Sequence, residues 1–329
     1  MSNDYQLVWD EDVLKEQWDD LLMGSDQASY FQSSLGYQVL KGFSDWRVHA
    51  MALKCKGELV ASLVFVIQKE KGVKGFFSER CIIFSGPIFK NQNVLRKLLE
   101  ELDKKVAGCI YIEIRNGYLT HDHQNVFVDL NWRYKKWLNF IVDTTDFPSI
   151  LRNMSESRRR QIKKSEKRGV QFHNPVQLEE VRDFYDILQS LYLTKVRKPL
   201  PDWELFRLFF VSDARNFVLV YHENKVIGGI LCPFMMGTGL YEFYVAGLDE
   251  EYKDYYPSAM ATYGAMVQAF ELGIPKFDFM GGGNPEEDYG VREFKSRFGG
   301  YQVEWGRWLK VKKPLLFWLG SSYIKWRSK

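Results

Sequence analysis

Two stretches of this chain pass through the same series of elements, and that repetition limits the fold more than any single motif does. In the first, a helix is expected over Val13–Leu22, and a shorter one carries Tyr37, Leu40 and Lys41 with Ser33 or Ser34 placed to cap it. The hydrophobic period then drops to two: Arg47–Lys54 and Leu59–Gln68 flank the hairpin signal Lys56-Gly57, and Cys81–Phe84 supplies a third strand. Leu95, Leu98, Leu99 and Leu102 mark a helix over Val94–Val106, and Ile110, Ile112 and Ile114 alternate in the strand behind it. The second stretch starts with a strand at Leu138–Val142 and helices at Phe147–Arg168, Leu178–Thr194 and Trp203–Phe210. It continues with strands Phe217–Tyr221 and Val226–Phe234 about Glu223-Asn224, a strand Leu240–Val245, a helix Ser258–Leu272 and a strand Lys276–Met280. Helices, hairpin, strand, helix, strand, met twice, predict an α/β (α+β) protein of two tandem units with mixed sheets flanked by helices. The boundaries expected are 1–135 and 136–313, followed by a basic, aromatic segment over 314–329.

The 329 residues, 46% hydrophobic and 26% charged, suffice for two packed cores. A net charge of +3 is too small for a general polyanion binder, so any basic function has to come from local clustering. Aromatic residues make up 16%, which serves either wide contact surfaces or thick cores. Cys55, Cys81, Cys109 and Cys232 stand singly in apolar runs and read as buried thiols of a reducing compartment. With no export signal and no run of about 18 apolar residues, the expected location is the cytoplasm. No HExxH, EF-hand or P-loop spacing occurs, and no metal is expected; His49, His121, His123 and His222 lack a matched nucleophile motif.

The chemistry concentrates in Lys276–Trp305, KFDFMGGGNPEEDYGVREFKSRFGGYQVEW: strand, glycine turn, acidic loop, short helix, strand. Gly281, Gly282 and Gly283 remove every Cβ where the first strand ends, so a ligand is expected to approach the backbone there. Arg292, Lys295 and Arg297 share the short helix, whose Phe294 and Phe298 fall at i and i+4 on its buried side. Lys295 is therefore a cation delivered from a packed helix, or else a surface lysine. Glu286, Glu287 and Asp288 read as a cation site or a solvated loop. Over Ser155–Arg168, the residues Arg160, Lys164 and Lys167 share a face suited to nucleic-acid phosphate, or to solvent. A second basic group, Lys195, Arg197 and Lys198, precedes the stiff Pro199-Leu200-Pro201. At the end of the chain Leu315, Leu316, Phe317, Trp318 and Trp326 lie among lysines, fitting either a helix docked on the body or contact with an anionic membrane surface.

The second half, with YEFYVAG in a strand and FDFMGGG in the next, resembles the GNAT acyltransferase fold. That fold normally cradles coenzyme A pyrophosphate on glycines before a helix, whereas residues 252–260 here read YKDYYPSAM. With the doubled unit, the segments FQSSLGYQVLK, RRRQIKKSEKRGV, YYPSAMATYGAM and GGGNPEEDYGVREFKSRFGG make the chain similar to the Fem family of peptidoglycan bridge aminoacyltransferases. The resemblance implies transfer of an amino acid from aminoacyl-tRNA to an amine of a lipid- or nucleotide-linked muropeptide, without a cofactor. It implies that Lys295 stabilises the oxyanion and Tyr256 lines the acceptor site. Lys41 and Arg197, or Lys198 in its place, would hold acceptor phosphates, with Tyr37, Tyr244, Gly282 and Gly283 lining the substrate. Peripheral contact with the inner membrane surface accords with a lipid-linked acceptor. Two rivals stand beside this: an acyl-CoA-dependent N-acyltransferase acting on a sugar or lipid amine, and a non-enzymatic tRNA- or membrane-binding module.

Overall fold

A computed structural model describes residues 5–23, 25–70, 72–197 and 199–327. In chain order, the first part holds β1 (Tyr5–Trp9), α1 (Lys15–Met23), α2 (Ser34–Lys41), β2 (Trp46–Cys55), β3 (Glu58–Gln68), β4 (Arg80–Ser85), β5 (Ile88–Phe89), α3 (Gln92–Lys105), β6 (Tyr111–Asn116), α4 (Gln124–Asp129) and β7 (Arg133–Lys135). The second holds β8 (Leu138–Asp143), α5 (Phe147–Asn153), α6 (Glu156–Lys167), β9 (Gln171–His173), α7 (Leu178–Leu191), α8 (Trp203–Ser212), β10 (Phe217–His222) and β11 (Lys225–Leu231). It goes on through β12 (Phe234–Met235), β13 (Gly239–Tyr241), β14 (Tyr244–Gly247), α9 (Pro257–Glu271), β15 (Lys276–Asp278), α10 (Gly290–Ser296) and β16 (Tyr301–Glu304). β17 (Arg307–Val311) and α11 (Pro314–Arg327) complete the chain.

Two compact units result, one of residues 1–136 with 305–329 and the other of residues 137–304. The second unit ends at 304, not at the expected 313, because β17 pairs antiparallel with β6 and β7 in the first unit's sheet.

Each unit centres on one parallel pair with an antiparallel strand beside it that comes from elsewhere in the sequence. In the first, β4 and β6 run parallel and β17 follows, giving the order β1-β2-β3-β4-β6-β17-β7. In the second, β13 and β15 run parallel and β8 follows, giving β12-β13-β15-β8-β16 beside a second sheet β14-β11-β10-β9. Both expected hairpins are present: Lys56 and Gly57 (φ 54° and 87°), and Glu223 and Asn224 (φ 50° and 62°), adopt the left-handed conformation that tight two-residue turns require.

The helices cover the sheets through their apolar stripes. Asn91 caps α3 by accepting the Val94 amide, and Leu95, Leu98, Leu99 and Leu102 all pack into the first core. In the second unit α9 is buried along almost its whole length, with Met260, Ala261, Ala265 and Met266 against the sheets. The expected single helix Phe147–Arg168 is two, broken at Met154-Ser155, where the Ser155 hydroxyl caps α6 by accepting the Arg158 amide. No helix of the described residues is long and apolar enough to cross a membrane. The last helix, α11, docks by setting Phe317 edge-on to Tyr111 at 5.4 Å and leaves Leu315, Trp318 and Leu319 exposed.

Candidate active site

In place of the continuous strand expected over Leu240–Val245, the chain changes sheets at Glu242-Phe243. The Glu242 amide donates to Asp278 O (2.8 Å) on the β15 side, and the next amide, Phe243, donates to Leu231 O (2.9 Å) on the β11 side. The two sheets part at this point, and Glu242 stands at the fork.

Its carboxylate meets Lys295 from α10. The Lys295 Nζ lies 2.9 Å from Glu242 Oε1 and donates to Phe279 O (2.7 Å) and Gly281 O (2.9 Å). An ammonium has three donors, so all three are engaged. The lysine side chain is 10% exposed and the glutamate side chain 4%, which rules out a surface lysine. Glu242 Oε2 is buried and has no hydrogen-bond partner among the described residues. Burial drives the Glu242 carboxyl above the usual carboxylate range, against the opposing pull of Lys295. Beside it Asp278, also raised by burial, accepts from Asn139 Nδ2 (2.7 Å) and the Met280 amide (2.6 Å). Asn139 Oδ1 in turn accepts the Gly281 amide at 2.7 Å. Asp278 and Asn139 thus fasten the turn whose carbonyls hold Lys295.

The turn itself is closed by protein. A Cβ on Gly282 would fall 3.0 Å from the Phe140 ring, and one on Gly283 would fall 2.7 Å from Tyr289. Open backbone for a ligand, expected at Gly282 and Gly283, is therefore replaced by aromatic side chains seated where the Cβ atoms are missing. Arg292 clasps the following loop, its Nε donating to Gly282 O (2.9 Å) and its Nη2 to Glu287 O (2.9 Å). Helix α10 is anchored by Phe298, which is buried 5.8 Å from Phe279 and 5.4 Å from Phe294.

Tyr244 lies 6.2 Å from Tyr192, whose phenol burial pushes up to about 12 with a further contribution from Tyr289. Tyr289 itself lies against Gly283. Arg197 follows the π-helical turn Tyr192–Val196 with φ 53°, its amide on Tyr192 O (2.8 Å) and its side chain exposed. Lys198 lies outside the described residues.

Tyr256 packs against the same core of the second unit as Phe294 of α10. It precedes Pro257 at φ 47°, and Lys164 Nζ is 5.9 Å from its ring. Of the basic residues on α6, Lys164 and Arg168 both pair with Asp254 (2.8 and 3.2 Å), and Arg160 pairs with Glu156 (3.3 Å). Arg158 is buried, its guanidinium 4.3 Å from the Phe298 ring and 4.5 Å from Phe294, and desolvation lowers it to about 10. Arg159 donates to Met154 O (2.7 Å) at the end of α5. Of the face expected to bind phosphate, Arg160, Lys164 and Lys167, the first two are paired and Lys167 is exposed without an ion pair among the described residues; the neighbouring Lys163, outside the expected set, is exposed in the same way.

The start of α9 is filled. Asp249 accepts the Ser258 amide at 3.2 Å and the Ser258 hydroxyl, and a Cβ on Gly247 would come 2.6 Å from Ser258 N. A carboxylate thus occupies the helix N-terminus, the place an anionic ligand would otherwise take.

In the first unit, Tyr37 and Lys41 line a cleft of about 560 Å³ with Asp10, Glu11 and Trp18. Lys41 is paired with Glu11, which raises the lysine above its ordinary range, and its Nζ sits 5.2 Å from the Tyr37 ring. The Tyr37 hydroxyl donates to Asp10 Oδ1 (3.1 Å), and His49 Nδ1 is 3.1 Å from Asp10 Oδ2.

Glu242, Asp278, Asn139 and Asp249 escaped the reading of the sequence. A signal existed for two of them: single carboxylates in apolar strands, Glu242 in GLYEFYV and Asp278 in KFDFM, are residues that need a buried partner.

Residues 213–323 match the model of the FemAB family. Among solved structures, FemX is similar at 15% identity and a TM-score of 0.72, over 95% of this chain and 99% of that one. L-PGS from Bacillus licheniformis is similar at 14% identity and 0.57, over 91% and 92%. A tandem GNAT protein from the clavulanic acid biosynthesis pathway is similar at 9% and 0.58, over 94% and 99%. At these identities the structures establish the fold, which is the tandem GNAT-like one. No curated protein sequence matches the chain. The match to the FemAB family model runs across Glu242, the glycine turn and Lys295, within a chain whose fold is the tandem GNAT-like one.

Proposed function

We propose that this chain is a Fem-type aminoacyltransferase that moves an amino acid from aminoacyl-tRNA to an amine of a peptidoglycan precursor. The observation that carries the reading is the buried Lys295, held between two carbonyls and Glu242 inside the FemAB-matched region.

In such a transfer the amine nitrogen attacks the ester carbonyl, the C–N bond forms, and the ester C–O bond breaks. The ribose oxygen leaves with a proton, and the amine loses one. Negative charge gathers on the carbonyl oxygen in between, and a fixed cation in a water-poor site is worth several kcal/mol there. Lys295 supplies that cation. The exposed Lys163 and Lys167, with Arg160, suit the phosphates of the tRNA donor. Lys41 and Tyr37, in their cleft, suit the acceptor's phosphates and sugar. The exposed Leu315, Trp318 and Leu319 fit contact with a membrane that carries a lipid-linked acceptor.

Asp249 weighs against the acyl-CoA reading, since a pyrophosphate at the start of α9 would meet a carboxylate and a closed backbone. The test is transfer of a labelled amino acid from charged tRNA to a muropeptide by the native chain and by Lys295→Met. Product with the first and none with the second is expected; equal product would remove Lys295 from the chemistry.

A further inference from the structure

We propose that Glu242 is the positioning residue of this site: it fixes the Lys295 ammonium, keeps it charged, and is the contact that the reaction's oxyanion exchanges with. The proposal rests on the reading of Lys295 as the oxyanion's partner.

Three observations lead there. First, Glu242 cannot drift, because its own amide and that of Phe243 are tied to different sheets at the fork, by bonds of 2.8 and 2.9 Å. Second, the other two acceptors on Lys295, Phe279 O and Gly281 O, belong to a turn locked by Asn139 and Asp278 and carry no net charge. They set direction, while Glu242 supplies the only charge in contact with the ammonium among the described residues. Third, Glu242 Oε2 is buried without a donor among the described residues, so this carboxylate is the least committed of the three acceptors.

The surrounding charges do not replace it. On β15, Asp278 is taken by Asn139 and Met280, with Lys276 acting on it from the same strand. On α10, Arg292 is spent on loop carbonyls, and on α6 Arg158 is stacked against Phe294 and Phe298. Without Glu242 the ammonium would face dipoles alone in a dry site, where the neutral amine is favoured. With Glu242, an arriving oxyanion needs only to displace one carboxylate oxygen to find a cation already aimed.

The full chain is assayed for aminoacyl transfer between pH 6 and 9, with Glu242→Gln, Glu242→Asp and Lys295→Met compared with the native protein. Glu242→Gln keeps shape and a carbonyl acceptor but removes the charge. Its kcat is expected to fall about 10- to 100-fold at neutral pH, and further as pH rises, with KM little changed. Glu242→Asp keeps the charge but withdraws it by a methylene; its kcat should fall about tenfold on the native pH profile.

Native kcat for Glu242→Gln across the range overturns the proposal, as does a Glu242→Asp profile tilted like that of the glutamine variant. If Glu242→Gln does not fold, Glu242→Asp decides: reduced kcat on an unchanged profile supports the proposal, and native kcat overturns it. Normal transfer by Lys295→Met would instead sink the reading of Lys295 itself. An inactive Lys295→Met beside a native Glu242→Gln would sink only the role of Glu242.

Discussion

Asp249 holds Ser258 by two hydrogen bonds, one from its amide at 3.2 Å and one from its hydroxyl, and so closes the N-terminus of α9 from outside the helix. Acyl-CoA is therefore expected to give no saturable heat in calorimetric titration. Asp249→Ala should lower stability by about 1 kcal/mol, the usual worth of a lost cap, as read from denaturant unfolding. It should still not confer CoA binding, because the packing of Gly247 on Ser258 leaves no room for the pyrophosphate. Saturable acyl-CoA binding by the native chain would revive the rival chemistry.

Lys295→Met tests the buried pair through stability as well as activity. Removing one partner leaves Glu242 as an uncompensated buried charge, a loss of about 3 to 5 kcal/mol for pairs of this kind. The sign with pH follows from Glu242. Burial already raises its folded-state pKa above the ordinary carboxylate value, with Lys295 opposing, and the variant removes that opposition. A raised carboxyl favours the folded state at low pH, and the contribution is lost as pH climbs through the folded value. The deficit of Lys295→Met should thus be smallest below the ordinary carboxylate range and grow above it. Lys295→Met with Glu242→Met should recover much of the loss at neutral pH. Chemical unfolding at a series of pH values measures both, and a pH-independent deficit would argue against a charged Glu242.

Much of the fold was legible because it is local. The period-two runs, the turns Lys56-Gly57 and Glu223-Asn224, the Ser33 cap that accepts the Gly36 amide and the leucine stripe of α3 each depend on residues a few positions apart. The placement of β17 was not legible, since alternation shows that Arg307–Val311 is a strand but not which sheet it joins. Strand β1, Tyr5–Trp9, is hidden for the same reason, its partner β2 lying more than 40 residues on. Lys295 could be picked out as a cation on a packed helix, yet its partner Glu242 sat in an apolar run that read simply as strand. The basic stretch 158–168 holds fewer free cations than its composition suggests, because a count of cations does not reveal which are spent on Asp254, on helix carbonyls or on aromatic rings.

That last distinction predicts different behaviour from neighbouring residues. Lys167→Ala removes an exposed cation and should lower the slope of log affinity for tRNA against log salt by about 1, leaving stability unchanged. Arg158→Met should leave the slope alone and destabilise the chain by about 1 to 2 kcal/mol, through the lost stacking on Phe294 and Phe298 and the bond to Phe294 O. Filter binding over a salt series, with unfolding curves for both variants, separates the two. Equal changes in slope would mean that Arg158 is not withdrawn from solvent as the structure places it.

Lys41 offers a test of the acceptor cleft. Its ammonium is bound to Glu11, so a phosphate entering beside Tyr37 has to compete with a carboxylate for the same donor. Lys41→Met should raise KM for the muropeptide about tenfold with kcat nearly unchanged, since a contact held equally in ground and transition states affects binding alone. Glu11→Gln should act in the opposite direction and lower KM, because the lysine no longer has a competing partner. The second result is the more telling: a general disturbance of the cleft would raise KM in both variants, whereas only competition for Lys41 lets the loss of a neighbouring carboxylate improve binding. Steady-state kinetics with a nucleotide-linked muropeptide at fixed aminoacyl-tRNA measures both, and a KM unmoved by either substitution would place the acceptor's phosphates elsewhere.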